Sequence, residues 1–192
     1  MSRRTAVISG IAVLVLAGAW FLLFVLPRWY APKPVAATDT GRAAPAAAAR
    51  KITATLYYVS DDGLSLVGTK REVPFADAVV EQARLIVEAQ LAPPPAPLVS
   101  AVPAGTTLRA LFLTERGDAF VDLSPEVTTK HSGGALDELF TVYAIVDALT
   151  VNLPAITRVQ ILVGGKEVDT IAGHVDVRHP LIKSLKWVQV PE

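Results

Sequence analysis

The sequence predicts an α+β domain of order β-β-α-β-β-α-β, a mixed or antiparallel sheet with two helices on one face, preceded by one transmembrane helix. Three observations carry that expectation. Residues 6–26, AVISGIAVLVLAGAWFLLFVL, run without a charge. Residues 27–50 are dominated by Ala and Pro. From Lys51 onward, segments alternating every second residue give way to segments with helical spacing.

The apolar run explains why the chain is 52% hydrophobic with only 7% aromatics. Its length suits a helix crossing roughly 30 Å of hydrocarbon. A cleaved leader would have a shorter apolar core and a small-residue cleavage site. Here Ala17-Gly18-Ala19 is followed by Trp20, Phe21, Leu22 and Leu23, so an uncleaved anchor is the expectation. Arg3 and Arg4 precede the span, whereas Arg28 and Lys33 follow it, which tilts residues 1–5 slightly towards the cytoplasm. The folded part is then expected outside the cytoplasmic membrane, with Trp20, Trp29 and Tyr30 in the interfacial belts. Residues 27–50 read as a semi-extended linker.

Charge and cysteine narrow the function classes. Residues 1–50 carry six Lys/Arg against one acid, and residues 51–192 carry 12 against 17. An acidic outer domain without a basic stripe argues against nucleic-acid binding. With no cysteine there is no disulfide framework, thiol nucleophile, thiolate metal site or lipidated cysteine.

Residues 51–192 form the expected domain. KITATLYYVS alternates as a strand, Asp61-Asp62-Gly63 turns the chain, and LSLVGTKREV returns. Pro74 is expected to open a helix through FADAVVEQARLIVEAQL, with Phe75, Val79, Ala83 and Ile86 on its apolar stripe. Asp77, Glu81, Arg84 and Glu88 occupy the opposite face, and the prolines of 93–97 end it. A second hairpin follows, Leu108, Ala110 and Phe112 alternating with Arg109, Leu111 and Leu113 before the ERGD turn and AFVDLS. HSGG leads into ALDELFTVYAIVDALTVNL, whose thin polar strip marks it as the more buried helix. Asp137 and Glu138 stand in its first turn, suited to the helix dipole. TRVQILVGGKEV reads as a last strong strand bent at Gly164-Gly165, and GHVDVRHPL closes the domain.

Several residue groups invite a chemical reading. His174, Asp176 and His179 have the types of a two-His, one-carboxylate metal site. Convergence would need a bend between 176 and 179, so the expectation is structural: His174 and Asp176, on one face of a strand, form a hydrogen-bonded pair at its end. His131 and Ser132 place a base beside a nucleophile, but adjacent residues seldom face each other, and helix entry explains HSGG. Arg116-Gly117-Asp118 spells an adhesion tripeptide and reads more simply as a turn. VGGK at 163–166 lacks the rest of a phosphate loop. Tyr57, Tyr58, Phe140 and Tyr143 are candidates to line a sugar or peptide groove, although their spacing fits core packing. No catalytic residue, cofactor or metal is expected.

The ordered segments LVSAVPAGTTLRALFL, GDAFVDLSPEV, LDELFTVYAIVDALTVNLPAITRVQILVGG and AGHVDV resemble the GerMN domain, over roughly residues 53–182. This bacterial module is known from sporulation and germination proteins and from envelope lipoproteins. The resemblance implies an extracytoplasmic scaffolding or binding role without catalytic residues, and a fold similar to ring-building modules of secretion-like complexes. The chain differs from the founding member in carrying one copy rather than two, and an apolar helix where lipoproteins carry a lipidated cysteine. The expected partners are the membrane, through the anchor, and envelope proteins or peptidoglycan. A homo-oligomer is compatible with the sequence, as is a small-ligand or glycan sensor; an envelope hydrolase is the remotest reading.

Overall fold

A computed structural model describes Trp20 and residues 50–189. The expected anchor (6–26), the linker up to residue 49 and their aromatic belts lie outside the described residues, Trp20 apart. No helix among the described residues is long and apolar enough to cross a membrane.

The alternating segments of the first hairpin become β1 (Lys51–Val59) and β2 (Leu66–Pro74), paired antiparallel along all nine residues. Ala54, Leu56 and Tyr58, one face of β1, are buried. Helix α1 spans Val79–Leu91, four residues later than the sequence suggested. Pro74 belongs to β2, and the backbone after it is already engaged: the Phe75 N–H donates to Arg50 O, and the Ala76 N–H to Gln82 Oε1. With those donors spent, the helix starts beyond them. β3 (Val99–Ser100) returns to pair with β1.

β4 (Leu108–Leu113) and β5 (Asp118–Leu123) form the second antiparallel hairpin. A short helix α2 (Glu126–Thr129) precedes the long helix α3 (Ala135–Asn152), which leads into β6 (Arg158–Val163), parallel to β5. Eleven of the 18 residues of α3 are buried against five of the 13 in α1, so α3 is the more buried helix. Gly164 and Gly165, with φ of 60° and 80°, form a two-residue hairpin loop to β7 (Lys166–Glu167). The strand therefore reverses there instead of bending through, because consecutive positive φ values match the twist of a tight hairpin.

The single sheet expected from the sequence is also corrected. The strands form two sheets, β2-β1-β3 and β4-β5-β6-β7, the second including β8 (Leu181–Ile182) on β6. Both helices touch both: α1 packs on β1, β2 and β4, and α3 on β1 and β6. Helices with apolar residues on several sides bury more by meeting two sheets than by covering one face.

Two side-chain amides, one buried and one half-buried, hold this arrangement together. Along the edge of β1 opposite β2, Tyr57 N–H donates to Gln90 Oε1 while Gln90 Nε2 donates to Tyr57 O, at 2.9 and 2.7 Å. Asn152 repeats the pattern on Thr55, at 2.8 Å each way. Each amide replaces the peptide group of a missing strand, so both helices are stitched to the strand edge and its polar groups are satisfied inside the fold.

Candidate functional site

The segment Val168–Pro180 holds two of the three histidines, and it is not a strand. Its organising group is Glu138, on α3 and fully buried. Glu138 Oε1 accepts the N–H groups of Ile171 and Ala172 at 2.7 and 2.8 Å; Oε2 accepts the His174 N–H at 2.7 Å and lies 3.2 Å from its ring Nδ1. Burial opposes the charged form. The backbone N–H groups of Ala172, His174, Ile171 and Val175 outweigh it, so the carboxyl titrates below the ordinary glutamate value. The loop is wrapped around a buried anion.

This overturns the expected His174–Asp176 pair. His174 is turned to Glu138, whereas Asp176 takes both Arg178 Nη2 and Nε, at 2.6 and 3.0 Å, and accepts the Arg178 N–H. That pairing holds the Asp176 carboxyl well below the usual range. His179 is exposed. Irregular backbone removes the alternation that would have put 174 and 176 on one face. Among the described residues no group of three or more His, Asp or Glu side chains is placed to hold a metal ion.

The other groups are occupied as well. The Gly133 N–H donates to His131 Nδ1 at 3.0 Å, which makes that nitrogen an acceptor. The Thr141 hydroxyl donates to Ala101 O at 2.6 Å, so its oxygen is left to accept from His131 Nε2–H at 3.1 Å. Both ring nitrogens are spent, and Ser132 donates to Asp137 at 2.9 Å, not to the imidazole. Arg116-Gly117-Asp118 is a turn: Gly117 has φ 84°, and a Cβ there would meet Ala155 O at 2.7 Å. Asp118 is buried in a two-bond contact with Arg158. In VGGK, the Gly165 N–H donates to Asp122 Oδ1 at 2.7 Å, so the chain's own carboxylate takes that anion-facing donor. Tyr57, Tyr58 and Phe140 are buried and Tyr143 half-buried.

A cleft of about 450 Å³ lies between β3 and the entry to α3, with Val59, Val102 and Phe140 on its apolar side and Lys130, Ser132 and Asp137 among its polar groups. Sequence reasoning missed Glu138 and a second buried acid on the same helix. Asp147 Oδ1 accepts the Ser184 N–H at 2.9 Å and its Oδ2 has no partner. Burial, opposed by that bond and by Lys183, pushes Asp147 up to about 6. Burial, with Asp147 nearby, pushes Tyr57 up to about 12. The signal for Glu138 was its alignment with Val142, Ile145 and Leu149, an acid on the core stripe of a helix.

Fold and site together define a small α+β module whose polar residues serve its own loops. Residues 55–169, more than half of the chain, match the family model Germane, described as sporulation and spore germination. The chain belongs to that family, whose module is the GerMN domain. Three solved structures share the fold. A candidate lipoprotein from Clostridium perfringens is 23% identical with a TM-score of 0.50, over 69% of this chain and 88% of that one. The first GerMN domain of the sporulation protein GerM from Bacillus subtilis is 21% identical with a TM-score of 0.52, over 70% and 98%. The tandem GerMN domains of that protein give 22% and 0.55 over 70% of this chain, which spans 46% of the tandem's length. No curated protein matches.

Proposed function

We propose that the chain is a membrane-anchored protein of the bacterial cell envelope whose GerMN-type domain, outside the cytoplasmic membrane, binds or organises partners without catalysis. One observation carries the non-catalytic part: among the groups singled out, the side chains of His131, Ser132 and Asp176 are engaged in bonds that shape the chain and His174 turns its Nδ1 to Glu138, while His179 is exposed. A general base needs a free lone pair aimed at substrate, and His131 has none left. The apolar run of 6–26 supports the anchor, and envelope proteins or peptidoglycan are the partners that suit this placement. Photo-crosslinking residues introduced at exposed positions, in the anchored protein in its own cells, test the reading. Discrete adducts from one face, with the protein in the carbonate-resistant membrane fraction, are expected. A soluble protein, or uniform crosslinking from every face, would contradict it.

The cleft favours a second reading, a small-ligand or glycan sensor, because it joins an apolar wall to a few polar groups. Soluble peptidoglycan fragments should then shift the amide resonances of Ala104 and Lys130 in a saturable way; unmoved resonances would remove this reading.

A further inference from the structure

We infer that the C-terminal strap, residues 181–189, together with the Leu64 loop forms a surface that lies on anionic lipid headgroups. The inference rests on the reading of the chain as tethered to a bilayer. Four of the eight exposed large apolar side chains within residues 50–189 belong to these two segments: Leu64, Ile182, Leu185 and Trp187, exposed by 68, 65, 46 and 38%. They are held in place. Ile182 pairs with Arg158 through β8, the Ser184 N–H is bonded to Asp147, and Leu185–Trp187 make a 3₁₀ turn. Val188 then bridges Leu66, and the Gln189 N–H donates to Leu66 O at 2.8 Å, which brings the strap beside the Leu64 loop. Four apolar side chains facing water from two adjoining, anchored segments of a folded domain call for a covering medium.

Charge chooses the medium. Exposed Lys183 and Lys186 interleave with the apolar residues, and residues 181–189 contain no acid, although residues 51–192 carry five more acids than bases. In the adjoining loop Asp61 and Asp62 are both exposed, Asp62 accepting from the Ser60 hydroxyl and the Leu64 N–H, so the attraction to anionic headgroups comes from the lysines of the strap and the loop contributes Leu64. Lysine is depleted in protein–protein interfaces. Lysine beside tryptophan and aliphatic residues suits the boundary of an anionic bilayer, where the ammonium meets phosphate and the indole sits at headgroup depth. β1 begins at the opposite end of its hairpin from Leu66, about 27 Å away for strands of this length. The expected 27–50 linker has ample reach to let the strap face the membrane, at about 3.3 Å per extended residue.

The absence of cysteine makes a single label unambiguous. The full chain carrying Leu185→Cys with an environment-sensitive nitrobenzoxadiazole is reconstituted in phosphatidylcholine vesicles with and without phosphatidylglycerol. Thr128→Cys on α2 is the reference. The position-185 emission should shift to the blue and be quenched by lipid-borne nitroxide only when phosphatidylglycerol is present, with Lys183→Glu/Lys186→Glu abolishing both effects and the Thr128 label unmoved. A position-185 label that stays in water on both vesicles overturns the inference while flotation with neutral vesicles upholds the anchor. Failure to float with neutral vesicles defeats the anchor reading by itself. A blue shift that grows with protein concentration in lipid-free detergent assigns the strap to a second copy and overturns the inference.

Discussion

Glu138 and Asp147 sit nine residues apart on α3, both fully buried, and the fold treats them in opposite ways. Glu138 is ringed by backbone N–H groups and held below the ordinary glutamate value. Asp147 has one such donor and an oxygen with no partner, and burial drives it up to about 6. Both are closed to solvent, but Asp147 is the more strongly desolvated and has fewer donors, and together these raise one carboxyl while the other is lowered. Their linkage to stability has opposite signs. The contribution of Glu138, whose native value is depressed, is present above the unfolded value and is lost as pH falls through the native one. Asp147 is raised, so its contribution is full below 3.8 and is lost as pH rises towards about 6.

The largest expected effect comes from removing the better-supported acid. Glu138→Ala leaves the N–H groups of Ile171, Ala172 and His174 without their acceptor and should cost about 3–5 kcal/mol. Melting should fall by about 10 °C or more, with fast amide exchange confined first to residues 168–180. A loss within about 0.5 kcal/mol, the range of an ordinary surface change, would break the comparison.

Asp147→Asn should act through pH. Between pH 4 and pH 7 the difference in unfolding free energy between variant and parent should move by about 2–3 kcal/mol in favour of the variant, the equivalent of the raised carboxyl. Urea unfolding at several pH values reads it. Parallel curves would mean that Asp147 is solvated.

Gln90→Ala strips Tyr57 of both strand-like bonds and should cost about 2 kcal/mol, with the Tyr57 amide exchanging faster while the β1–β2 bonds stay protected. His174→Ala should be the mildest, about 1 kcal/mol or less, because its backbone N–H still reaches Glu138 and the ring is half exposed. A loss equal to that of Glu138→Ala would shift the weight from backbone to imidazole.

The same contrast shows what could be read from the sequence. Both hairpins, both long helices and the deeper burial of α3 follow from periodicity, since a two- or 3.6-residue repeat is a local property. Tertiary hydrogen bonding is not local. Gln82, Gln90, Asn152 and Glu138 look like ordinary polar helix residues until their distant backbone partners are known. In β4 the alternation itself misleads: a register shift between Leu108 and Ala110 leaves Leu111 buried and Phe112 exposed, because one extra residue in a strand exchanges its faces. In the candidate site, the His174 segment was found from residue type, but its partner was misassigned, because an irregular loop carries no period to read.

The most direct measurement is a carboxyl ¹³C titration of the two acids in one sample. Glu138 is expected to titrate below the ordinary value of 4.5 and Asp147 near 6. Two ordinary titrations, or the reverse order, would contradict the account of a loop folded around an acid whose charge is favoured and a strap resting on one whose charge burial opposes.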